Sequence, residues 1–196
     1  MEFKDTVLKR RMVRNFADKP VNLQIIDQIV QLTRHAPSAG FTQGQSFIVV
    51  TKPDLKMVIA DTCQEEEYVK NGFAPFISKA PVLLIPCTSE AAYHRRYQQA
   101  DKVDENGNEI EWPVPYWFMD IGCAVMIALL AAIDEGLVTA FAGSKDLKTL
   151  RAVLNMPDEI HPVGVIAVGY RAQDVPSPSL KRGRKADAEY IHYESW

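Results

Sequence analysis

The sequence has little with which to build a catalytic centre from its own side chains. Its three cysteines, Cys63, Cys87 and Cys123, lie far apart and form no CxxC pair. Neither a disulfide framework nor a thiolate metal site is therefore expected. Cys87 and Cys123 sit in apolar runs, where a free thiol behaves as a small hydrophobe. The four histidines, His35, His94, His161 and His192, show no HExxH spacing. No GxSxG elbow, GxGxxG turn, P-loop or close carboxylate pair in an apolar setting occurs, so serine-hydrolase, Rossmann, NTPase and glycosidase readings lack their motifs. Excess charge is missing too. At a net −3, non-specific nucleic-acid binding has no electrostatic support. The opening MEFKDTVLKRR contains no apolar core of signal-peptide length, and scattered free cysteines fit a reducing cytoplasm. With no protein nucleophile in evidence, demanding chemistry would fall to a bound cofactor.

What is present is organised around Trp117–Gly136, WFMDIGCAVMIALLAAIDEG. From Ile121 to Ile133 nothing is charged or strongly hydrogen-bonding, which predicts a helix buried all round. It falls short of the about 20 apolar residues of a membrane span, so no membrane is expected. Gly136 is placed for a left-handed C-cap. Ala124, Ala128 and Ala132 form a small-residue stripe that would admit a second helix. Around this rod, Asn22 predicts an N-cap for a helix carrying Ile25, Ile26, Ile29 and Val30, which must stop before Pro37. FIVVT (47–51), PVLLIPC (81–87) and VGVIAVGY (163–170) read as buried strands. Glu65–Glu67 reads as a solvated acidic patch. Residues 89–112 form a polar excursion with interleaved aromatics and an Asn106-Gly107 turn signal compatible with a hairpin. Alternating helices and strands apolar on both faces imply one domain, 1–196, with a sheet covered on both sides by helices. A tail at about 176–196 would dock elsewhere, such as on a second subunit.

Two basic clusters stand out, Arg10, Arg11 and Arg14 near one end and Arg182, Arg184 and Lys185 near the other. Taken singly, each reads as a solvated basic face. Together they suit phosphate, which the guanidinium fork matches. Ser38, Ala39 and Gly40 allow close backbone approach to a ligand, or simply connect helix to strand. Gly143 marks a tight turn or a place where a planar ligand meets backbone. His94, Arg95 and Arg96 read as helix surface or as partners for a 2′-phosphate.

The segment KRRMVRNF resembles the RRSVRxF opening signature of the FMN-dependent nitroreductase family. APSAGFTQGQSFIVV resembles that family's APSAGNxQPWxFVVV, and the central helix and VGVIAVGY…KRGRKADAEYIHYESW resemble its core helix, closing strand and tail. The resemblance runs in order along nearly the whole chain. It implies an α+β fold of three α/β/α layers, with a mixed sheet flanked by helices, in an intertwined homodimer with FMN in each of two sites at the interface. Arg10 and Arg11 match positions near the flavin phosphate or ribityl chain, and Arg14 the basic position near the pyrimidine. Pro37, Ser38, Ala39, Gly40 and Gln43 match the loop along the flavin, part of each site coming from the second subunit. Ala142 and Gly143 match the backbone facing the reactive side of the ring, and Arg182 and Arg184 the phosphate clamp. No residue is assigned as catalytic. Met12 departs from the usual serine or threonine, and Gly44-Gln45 from the usual Pro-Trp, which removes an aromatic wall. The implied activity is ping-pong oxidoreduction, with NADH or NADPH as donor and a nitroaromatic, quinone or enone-type acceptor. Reductive dehalogenation, flavin cleavage and a flavin-binding protein with little turnover are the alternatives. Gln45, Tyr93, Tyr97, Trp112 and Tyr116 would form the lid or wall, or else pack beneath a long loop.

Overall fold

The computed structural model describes Met1–Trp196. Seven helices, α1 (Phe3–Lys9), α2 (Leu23–Thr33), α3 (Pro53–Thr62), α4 (Glu65–Lys70), α5 (Glu90–Tyr97), α6 (Tyr116–Asp134) and α7 (Leu147–Val153), surround strands β1 (Gln45–Val50), β2 (Val82–Thr88), β3 (Val138–Ala142), β4 (His161–Pro162) and β5 (Val165–Gly169). The sheet runs β1-β2-β5-β3, with β4 paired to β2. All these strand pairs are antiparallel. The parallel component of the expected mixed sheet is a single bridge from Met12 to Thr139.

The three layers follow from side-chain alternation along the strands. Val82, Leu84, Ile166 and Val168 face α2 and α6, packing on Ile26, Ile29, Ala124 and Ala128. Leu83, Ile85, Val165 and Ala167 face the other way, onto Ile59, Leu150 and Phe76. Each such aliphatic side chain contributes about 1.5–3 kcal/mol by leaving water. Local signals set the ends of the helices. Asn22 accepts from the Gln24 amide and Asp146 from the Thr149 amide. Gly136, at φ +74°, closes α6. There the Gly136 and Leu137 amides bond the Ile133 and Ala132 carbonyls, a Schellman arrangement.

Several expectations need correcting. α6 spans 19 residues, enough by length and composition to cross a membrane, yet it is the core helix of a three-layer fold. It is not buried all round, because Phe118, Met119 and Met126 are about half exposed. The alanine stripe does admit a second helix, α2 of the same chain, so it offers no surface for a second copy. FIVVT lies on edge strand β1 and leaves Val49 exposed. Glu65 is buried, its carboxylate accepting from the Ile77 and Ser78 amides and the Ser78 hydroxyl. No hairpin forms at Asn106-Gly107. Instead the Asp104 carboxylate accepts from the Asn106 and Asn108 amides and closes a local turn.

Candidate functional site

The two basic clusters meet. α1 ends at Lys9 because Arg10 leaves the helical region, at ψ 125°. The chain then runs beside β3, with the Val13 amide donating to Thr139 O. The tail returns past it through a short 3-10 turn at Pro178–Arg182. Between them lies a cavity of about 520 Å³ lined by Arg10, Arg11, Met12, Arg14, Ser177, Ser179, Leu180, Gly183 and Arg184. No carboxylate lines it, and none of its arginines forms a salt bridge. Arg10 Nη1 is buried without a hydrogen-bond partner. A buried donor left unmade costs about 1–3 kcal/mol. Arg11 Nη1 donates to the Leu8 and Arg10 carbonyls and so also caps α1. The Arg14 guanidinium rests 5.0 Å from the Phe73 ring centroid and 5.9 Å from that of Phe76, which fixes it without neutralising its charge. Hydroxyl and guanidinium donors with no competing anion fit a phosphomonoester.

The second region is the loop after α2. Gly40, Phe41 and Gln43 all have positive φ, at 61°, 55° and 55°. Two of these are not glycine, which marks strain. Gly40 is small for a reason internal to the chain, since a Cβ there would lie 2.7 Å from Tyr97 Cε2. Gly44, where the resembled signature has proline, would place a Cβ 2.6 Å from Tyr93 Cε2. The tyrosines of α5 thus occupy the space that the departure opens. Tyr93 is fully buried and its hydroxyl donates to Asp120 Oδ2 at 2.7 Å. Burial and that carboxylate push its phenol well above the ordinary range. Tyr93 is a core residue and no part of a lid surface. Trp112 gathers Tyr97 (centroids 4.5 Å), Tyr116 (6.0 Å) and Trp117 (5.8 Å), so the excursion is packed as a unit. The cations of α5 are taken, His94 by Glu109, Arg95 by Glu159 and Arg96 by Asp101, and Lys102 lies 5.5 Å from the Tyr97 ring centroid.

Pro37 and Gln43 line a trough of about 1050 Å³ along α2, with Arg34, His35 and Phe41. Gln43 and Gln45 line a smaller one of about 260 Å³. Neither shares a residue with the arginine cavity, so one chain does not bring loop and arginines into one pocket. Arg182, Ala142 and Gly143 also lie outside the arginine cavity's lining. Sequence reasoning passed over Ser177 and Ser179, and over Asp120 as an organiser of the loop. It also passed over Phe41, where the resembled signature carries asparagine, a residue that tolerates left-handed backbone.

The family model described as "Nitroreductase family" matches residues 7–170. An iodotyrosine deiodinase of Nematostella vectensis is 28% identical over 92% of this chain and 71% of its own length. A putative NADH dehydrogenase/NAD(P)H nitroreductase of Methanothermobacter thermautotrophicus is 24% identical over 100% of this chain and 88% of its own length. The crystal structure of an oxidised iodotyrosine deiodinase bound to FMN and 3-iodo-L-tyrosine superposes with a TM-score of 0.74 at 21% identity, covering 99% of this chain and 100% of that one. With the family match spanning most of the sequence and the fold agreeing throughout, this chain belongs to the nitroreductase family.

Proposed function

We propose that the protein is an FMN-dependent oxidoreductase that works as a homodimer. The observation that carries this reading is the carboxylate-free arginine cavity with its orphaned Arg10 Nη1. When bound there, FMN supplies two-electron chemistry between NADH or NADPH and an acceptor of the nitroaromatic, quinone or enone type. Arg10, Arg184, Ser177 and Ser179 would hold the phosphate. Arg14, braced on Phe73, would place positive charge towards the ring. Backbone at Ala142 and Gly143 would supply the facing edge. The loop Pro37–Gly40 belongs to a different part of the single chain's surface, so a second copy is needed to complete the site. Two features support that copy. Phe118, Met119 and Met126 form an apolar face on α6, and Tyr190, Tyr193 and Trp196 lie almost wholly exposed on the tail. Large apolar surfaces of this kind mark interfaces.

A second reading has its own support: reductive dehalogenation of a halogenated aromatic, favoured by the deiodinase relatives. The test is an absorption spectrum of the purified protein, identification of the flavin after denaturation, and sedimentation. A yellow dimer releasing FMN is expected. A colourless protein that FMN cannot reconstitute would refute the cofactor, and a flavin-loaded monomer would refute the dimer. Turnover of a quinone and nitroaromatic panel against a halotyrosine separates the two reactions.

A further inference from the structure

Asp120 is 7% exposed, in the first turns of α6, and it has no salt-bridge partner. A buried carboxylate without a counter-ion persists only where hydrogen bonds replace its water. Here one oxygen, Oδ2, accepts both the Ala39 amide (2.8 Å) and the Tyr93 hydroxyl (2.7 Å). Ala39 opens the strained loop, and Tyr93 lies on α5 at the root of the excursion. Three further ties join the same two segments. Arg96 Nε donates to Gly40 O at 2.9 Å, the Tyr97 ring lies on Gly40, and the Tyr93 ring lies on Gly44. Strained left-handed residues persist only where the surroundings over-determine them. For Phe41 and Gln43 those surroundings include α5 and Asp120.

We infer that Asp120 is a positioning residue, a bolt that locks the loop Ala39–Gln43 to the excursion helix so that the two move as one body. Resting on the FMN reading, this has a functional consequence. The loop would lie along the flavin and the excursion beside the acceptor, so whatever shifts one shifts the other. By linkage, flavin and acceptor affinities then respond to each other to the same degree. Among the ties, the Tyr93 hydroxyl acts from the excursion side alone, bonding only the carboxylate, while its ring stays on Gly44. Loss of that hydroxyl therefore tests the lock without touching the loop.

The experiment compares Tyr93→Phe and Asp120→Asn with the parent by hydrogen exchange over residues 37–45 and by FMN titration, with thermal melting as control. Tyr93→Phe removes one oxygen from a ring that stays packed, so it keeps the fold. Both variants should exchange about tenfold faster over 37–45 and bind FMN about two- to tenfold more weakly, the scale of one hydrogen bond. For Tyr93→Phe the melting temperature should fall by only a few degrees, the scale of one hydrogen bond. Unchanged exchange over 37–45 in both variants overturns the lock. So does a drop in melting temperature with unaltered FMN affinity, which signals plain core destabilisation. A parent chain that takes up no FMN defeats the cofactor reading instead, and the lock is then decided by exchange on the flavin-free protein.

Discussion

Two regions of this molecule are rich in cations, and they treat them oppositely. On the excursion, His94, Arg95 and Arg96 each meet a carboxylate, and the Arg96–Asp101 pair is bidentate. In the cavity between α1 and the tail, Arg10, Arg14 and Arg184 meet none. The same residue types thus serve as fasteners in one place and wait for an external anion in the other. Arg96 holds the Asp101 carboxyl down to about 2, and Glu109 holds the His94 imidazole above its ordinary value. No comparable internal partner satisfies Arg10 Nη1. Cation density alone does not identify a site. Cation density without carboxylates is what supports the proposed one.

The sharpest way to break this comparison is substitution on both sides of it. Arg10→Ala or Arg184→Ala should weaken FMN about ten- to a hundredfold, the scale of a charge-assisted hydrogen bond. Arg95→Ala, which removes a surface pair, should leave FMN affinity unchanged. Fluorescence titration reads both, and equal losses would erase the distinction. Next in size is Trp112→Ala, which removes the ring that Tyr97, Tyr116 and Trp117 share. A half-buried indole should cost about 2 kcal/mol and lower the melting temperature by about 4–8 °C. Arg14→Ala should lower the flavin midpoint potential by some tens of millivolts, since about 1.4 kcal/mol corresponds to about 30 mV for two electrons. Potentiometry on the FMN-saturated variant checks it, and an unaltered potential removes Arg14 from the ring. The smallest effect is one of pH. The His94 value is raised on folding, so its contribution is complete below about 6.5 and is lost as pH rises through the raised value. Hydrogen exchange over 94–109 should quicken as pH rises through that window beyond its intrinsic dependence, and His94→Gln should abolish the extra step.

The parts legible in the sequence were those set locally or by ordered motifs. Asn22 and Gly136 announced helix ends because capping involves only near neighbours. The arginine clusters were recognisable because their signatures stand in order along the chain. What stayed hidden depends on distant partners. Glu65 looks solvated among three glutamates until the amides of Ile77 and Ser78 surround it. Arg95 looks free until Glu159 arrives from 64 residues away. Gly40 and Gly44 look like space for a ligand, yet tyrosines of α5 fill it. The apolar run of α6 hides which of its faces stays open, because hydrophobicity that is uniform around a helix carries no direction. FIVVT reads as central for the same reason, and its edge position appears only once β2 takes its other neighbours.

The central claim is that the carboxylate-free cavity is a phosphate cradle, and riboflavin tests it most directly because it shares the ring of FMN and lacks the phosphate. Titrating the flavin-free protein with each, at fixed salt, isolates what the phosphate contributes. The account predicts that FMN binds about a hundredfold or more tightly than riboflavin, from two or more charge-assisted contacts, and that Arg184→Ala removes most of the difference. Equal affinities for the two flavins, or a preference for FMN that survives both Arg10→Ala and Arg184→Ala, would contradict it.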